Sequence, residues 1–187
     1  MRYPPSETAE KHLRILNEAI RLFRERGFSG VSVGEIMKAT GLTHGPFYNH
    51  FASKEALFAE CVEHGLRAGR RLQVTGNPGS AQGKAAYVDR YLSTSHRDSP
   101  GTGCVMAALA SEVRQQPQAK TPFTAELKTL VDKLASHFPW RSKRTARGES
   151  IRMVSAMVGA LILSRAVNDE AFSEEILREV RGGVRRP

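Results

Sequence analysis

Gly41-Leu-Thr-His-Gly-Pro-Phe-Tyr-Asn-His-Phe-Ala-Ser-Lys-Glu-Ala-Leu57 packs a turn, a very short helix and a helix-starting Ser-Lys-Glu into seventeen residues. Gly41 ends one predicted helix, the next spans roughly Thr43 to His50, and Ser53 caps a longer one reaching about Arg71. Upstream, a helix from about Thr8 to Arg26 carries Leu16, Ala19, Ile20 and Phe23 as an apolar stripe. Gly27 follows where a left-handed residue is wanted. Ser32-Val-Gly-Glu35 is a capping box opening a second helix, with Val33, Ile36 and Met37 as its apolar positions. Helix two, a turn and helix three make a helix-turn-helix.

No run alternates as a strand, so the expected class is all-α with about nine helices. Thr75-Gly-Asn-Pro-Gly-Ser80 breaks the chain, and helical segments follow near 81–95, 103–116, 121–138, 143–168 and 172–182. The expected division is a helix-turn-helix unit over 1–53, a linking helix over 54–71, and a second helical unit making up 54–187.

The 187 residues are 40% apolar and 25% charged, which suits a chain that buries a real core. The net charge of +9 suggests a polyanionic partner. It is spread out: residues 1–71 hold eleven Lys/Arg against eight Asp/Glu, and residues 72–187 hold seventeen against eleven. Bulk charge therefore supports a nucleic-acid partner only weakly. Cys61 and Cys104 cannot build a disulfide framework, and no Cys/His cluster has metal-ligand spacing. With no Gly-rich phosphate loop and no nucleophile elbow, neither an enzyme nor a cofactor is expected. The N-terminus lacks the apolar core of a signal peptide. The longest apolar run, Met153 to Leu163, falls short of the roughly 20 residues a membrane helix needs. A cytoplasmic protein without a membrane partner is expected.

In a helix-turn-helix the second helix enters the major groove of double-stranded DNA. Thr43, at the expected N-cap, offers its hydroxyl or amide to a phosphate. His44 points outward toward a base edge. Gly45 lets the backbone approach closely, and the Pro46 ring can touch a thymine methyl. Phe47 and Phe51, four apart, face the core. Tyr48 on the outer flank is suited to donate to a phosphate, and Lys54 sits where ammonium and helix dipole add.

ILNEAIRLFRERGFSGVSVGEIMKATGLTHGPFYNHFASKEALFAEC, from Ile15 to Cys61, resembles the DNA-binding domain of the TetR/AcrR family of transcriptional regulators. The string Gly-x-Phe-Tyr-x-His-Phe-x-Ser-Lys-Glu-Ala-Leu carries the resemblance. It implies that Thr43, His44 and Pro46 read bases and that Ser32, Tyr48, His50 and Lys54 contact phosphate. Gly34 departs from the family's usual polar residue, and Met37 from its usual small one. The resemblance further implies a homodimer on a palindromic operator and a small-molecule effector, with a repressor as the leading reading. The residues themselves leave the sign of regulation open, so an activator or a ligand-independent regulator stands as the alternative.

The segment 150–168 supports a dimer independently. Ile151, Val154, Val158, Leu161 and Ile162 form one apolar face, and Met153, Met157, Ala160 and Val167 another. Met106, Phe123, Trp140, Met153 and Met157 are candidate pocket residues, as large or adaptable apolar side chains of the second unit. The stretch His96 to Glu112 resembles a segment of a family subgroup, some of whose members sense electrophiles through cysteine. Cys104 at a helix start, near His96 or Arg97, is thus a sensor candidate; a small buried hydrophobe is its other reading. Cys61 is expected to be structural, and the basic run Arg141 to Arg147 a solvated loop.

Overall fold

A computed structural model describes residues 5–43, 45–73 and 79–185. Helix α1 (Pro5–Arg26) buries Ile15, Leu16, Ala19, Ile20, Leu22 and Phe23, the expected stripe with Ile15 and Leu22 added. It stops at Gly27, whose φ of +74° an L side chain rarely adopts. Helix α2 (Val33–Ala39) opens on the predicted capping box. Ser32 Oγ accepts from Glu35 N–H at 3.2 Å, and Ser32 N–H donates back to the Glu35 carboxylate at 2.8 Å. Helix α2 buries Ile36 and Met37, so the larger Met37 is accommodated in the core.

The helix expected over Thr43 to His50 is shorter and tighter: a 3-10 turn over Gly45–Asn49, closed by His50 N–H to Phe47 O at 2.9 Å. Pro46 lacks an N–H and Gly45 is a poor helix former, so an α-helix has little to nucleate on here. Ser53 caps α3 (Lys54–Gln73), its Oγ accepting from Ala56 N–H at 3.1 Å.

The second part holds α4 (Ala81–Tyr91), α5 (Thr94–Arg97), α6 (Val105–Val113), α7 (Pro117–His137), α8 (Ala146–Ala166) and α9 (Glu170–Arg185). Nine α-helices and no strand among the described residues match the expected class. The predicted 81–95 helix splits because Ser93 caps a new turn, accepting from His96 N–H at 3.1 Å. Pro117, left between the predicted 103–116 and 121–138 helices, is instead the first residue of α7, where its missing N–H costs nothing. Helix α3 lies along α7, and α8 packs between α7 and α9. The buried apolar side chains form one cluster from Ile15 to Leu177, so the core runs through both predicted units.

Candidate nucleic-acid interface

The turn Gly45–Asn49 is held from below. Phe47 is wholly buried, with its ring 5.7 Å from that of Phe51, which is also buried. Phe51 stacks on His12 at 4.4 Å, and His12 Nε2 meets Glu60 Oε1 at 2.6 Å. The ring pair thus ties α1, the turn and α3 into one piece. Above this floor Thr43 and Gly45 are exposed, Pro46 is half-buried, and Tyr48 is 63% exposed with its ring edge-on to Phe47. A Cβ added to Gly45 would meet nothing within 4 Å. Its bareness is therefore not needed by the fold. His44 lies outside the described residues.

The candidate phosphate contacts flank the turn. Ser32 is exposed at the start of α2, but its hydroxyl already donates to Glu35 Oε2 at 2.7 Å. Arg26 holds the other carboxylate oxygen at 2.9 Å. The Ser32 bonds, then Arg26, pull the Glu35 carboxyl down to about 2. Lys54 is half-buried, its Nζ 4.2 Å from the Phe28 ring centroid. Burial lowers its pKa, opposed by Glu55, Glu112 and Glu35. His50 is half-buried, and burial, then the charges of His12 and Lys11, lower its pKa. It is thus a neutral hydrogen-bonding group near pH 7.

The six sensor and pocket candidates do not converge. Cys104 and Met106 border a cavity of about 210 Å³ with Arg24, Gly65 and Leu130. Met106 and Phe123 also line an apolar groove of about 450 Å³ between α7 and α8. Trp140 and Met153 line another cavity, and Met157 is packed in the core.

Cys104 occupies the N-cap position of α6 and is buried. Its N–H donates to His96 Nε2 at 3.1 Å, while His96 Nδ1 lies 2.7 Å from Tyr91 O. This pairing requires neutral imidazole with the proton on Nδ1. Burial lowers the His96 pKa, partly opposed by the Tyr91 bond. Arg97, expected beside the thiol, instead pairs with Asp98 and Glu170 and donates to Ser173 Oγ at 2.9 Å. Arg24 and Arg165 take its place: both guanidiniums have pKa values lowered by burial and opposed by Cys104. Neither arginine is near Cys104 in the chain, so no local pattern pointed to them. Cys61 is wholly buried with its Sγ 3.7 Å from Leu16 O, and burial pushes its thiol well up, in keeping with a structural role. Residues 141–145 are exposed, as expected of a solvated loop, while Arg147 pairs with Asp132.

Residues 15–61 match the model of bacterial regulatory proteins of the tetR family. The transcriptional regulator AcrR of Shigella flexneri is 47% identical over 57 residues, 30% of this chain and 26% of that protein. The regulator UidR of Escherichia coli K12 is 42% identical over 57 residues, 30% of this chain and 29% of that one. These matches span roughly a quarter of the length of the curated relatives. Over the whole chain the likeness is one of fold. The reduced form of Escherichia coli NemR superposes with a TM-score of 0.78 at 19% identity, covering 94% of this chain and 95% of that one. A TetR transcriptional regulator from Chloroflexus aurantiacus gives 0.72 at 23%, covering 96% and 94%.

Proposed function

We infer that this chain, a member of the TetR family by its amino-terminal segment and its fold, is a homodimeric DNA-binding repressor. A small-molecule or electrophile signal releases it from a palindromic operator. The observation that carries the reading is the turn Gly45–Asn49, anchored by Phe47 with its outer side left open at Gly45. A rigid, narrow, uncluttered projection is what close approach to base edges requires. Thr43, His44 and Pro46 read the bases, and Ser32, Tyr48, His50 and Lys54 position the backbone. The expected boundary near residue 53 marks where the reading head gives way to the linking helix.

So short a turn contacts few bases, and pairing two heads multiplies its affinity. The surface for pairing is the outer side of α8 and α9. Ile162 and Leu163 are 42% and 56% exposed, Phe172 is 49% exposed, and Gly159 faces open space. No described helix is long and apolar enough to cross a membrane. A cytoplasmic regulator fits this reading.

For the signal, Cys104 stands at the start of α6 with the half-buried Arg24 and Arg165 nearby. Selection of bound sequences from random duplex DNA tests the reading: a two-fold symmetric site with salt-sensitive affinity is expected. Scrambling one half-site without loss of affinity overturns the dimeric reading. Release by an alkylating agent is expected to disappear in Cys104→Ser, and undiminished release in that variant overturns the thiol's role.

A further inference from the structure

Lys84, in the first turn of α4, is only 5% exposed. Its Nζ lies 4.5 Å from the centroid of the Trp140 ring, and among the described residues no carboxylate lies within ion-pair distance of it. A lysine so buried ordinarily has a partner, since an unpaired ammonium out of water is costly. Burial pulls its pKa below the usual lysine value, and the charge of Glu149 opposes this only in part.

The ammonium borders a cavity of about 370 Å³ between α4, α8, the end of α9 and the loop carrying Trp140. Among the described residues Lys84, Arg141 and Arg152 line it against one carboxylate, Glu149, an excess of positive charge. Its remaining wall is apolar: Trp140, Met153, Ala156 and Val184. The volume falls within the roughly 300–1,000 Å³ typical of small-molecule sites.

We propose that this cavity binds a small organic monocarboxylate, with its anionic head on Lys84 and its hydrocarbon body against Met153 and Val184. The head supplies the counter-charge that the fold withholds, in a charge-assisted hydrogen bond. Arg152 at the exposed rim steers the anion inward. The apolar wall selects against strongly hydrated ions such as sulfate, which would lose their water without finding enough donors. The site is built from the second helical unit alone and stands whether or not its occupant governs DNA binding.

Trp140 is the only tryptophan of the chain, so its fluorescence reports on this cavity and on a neighbouring one of about 540 Å³ that it also lines, and the Lys84 variant separates the two. Butyrate, hexanoate and benzoate are titrated against it, with hexanamide and benzamide as neutral isosteres. A saturable change with at least one carboxylate and none with the amides is expected. Lys84→Met keeps the length of the stem and removes the charge, and is expected to weaken binding by about tenfold or more. Should that variant not fold, Arg152→Gln takes its place, with a smaller loss of several-fold expected. No saturation with any of the three acids overturns the proposal. So does an undiminished response in the folded variant, or an equal response to sodium sulfate at matched ionic strength.

Discussion

The carboxylate of Glu112, at the end of α6, accepts the backbone N–H of Phe28 at 2.8 Å across a separation of 84 residues. Phe28 follows Gly27, where α1 ends, and a helix commonly satisfies such a position from its own last turn. Here a side chain from the second unit does it. The approach is close: a Cβ on Gly27 would stand 2.4 Å from Glu112 Oε1. Lys54 lies over the Phe28 ring and feels the same carboxylate, so α6 and the start of α3 share one contact.

Removing that carboxylate has a defined cost. Glu112→Ala is expected to lower stability by about 1.5–3 kcal/mol, the value of a hydrogen bond to a charged acceptor. Gly27→Ala adds both backbone strain and the clash with Glu112. The double variant should be more stable than the sum of the single losses implies, because removing the carboxylate relieves the clash. Urea denaturation of the four proteins measures this coupling, and strict additivity contradicts it.

Gly45 separates folding from recognition. Because a Cβ there meets nothing in the free protein, Gly45→Ala should change stability by less than about 0.5 kcal/mol. On the proposed function the same methyl group stands where the backbone is to approach DNA, so operator affinity should fall by about tenfold or more. Tyr48→Phe should weaken binding evenly across sequences, whereas Pro46→Ala should alter base preference. Melting curves and binding isotherms on the same preparations distinguish these outcomes.

The Glu35 carboxyl titrates at about 2, below its ordinary value of 4.5. A group depressed on folding contributes stability that is complete above its unfolded pKa and lost as pH falls through the folded one. The capping box therefore weakens between pH 4.5 and about 2. Glu35→Gln should flatten that part of the stability profile while leaving its shape near pH 7 unchanged.

His96 follows the same sign, because its pKa is lowered on folding. Its contribution is intact above the ordinary histidine value of 6.5 and fades as pH falls from there toward the folded pKa. Protonating Nε2 sets one donor against another, the Cys104 N–H. Hydrogen exchange at Cys104, corrected for the intrinsic rate, should lose protection only as pH falls below 6.5, while Leu57 in α3 keeps its own.

Leu163, 56% exposed on α8, tests the pairing surface. Leu163→Glu should leave the monomer folded and lower the sedimenting mass to that of one chain. Operator affinity should drop with it, because one head alone makes few contacts. A dimer that survives this change unaltered locates the interface elsewhere.

Much of the amino-terminal helical unit was legible in the chain because its signals are local. The Ser32–Glu35 box, Gly27, Gly41 and the Phe47–Phe51 spacing each act within a few residues. The turn at Gly45–Asn49 was placed but drawn too long, since proline and glycine weigh against an α-helix more than the flanking apolar pattern supports it. The second unit was less legible. Apolar periodicity identifies helices there without saying which faces meet, so the five pocket candidates and the sensor candidate Cys104 scattered over separate cavities and the core.

The sequence by itself determined the helices, their caps and the short turn, because these depend on backbone geometry and contacts a few residues apart. Only the tertiary structure decided that Glu112 holds the corner at Phe28, that Arg24 and Arg165 rather than Arg97 attend Cys104, and that Lys84 is buried over the Trp140 ring with no carboxylate in ion-pair distance among the described residues. Those relationships join residues tens of positions apart. They are set by how helix faces pack, and in a chain with many charged side chains the packing alone selects which of them meet.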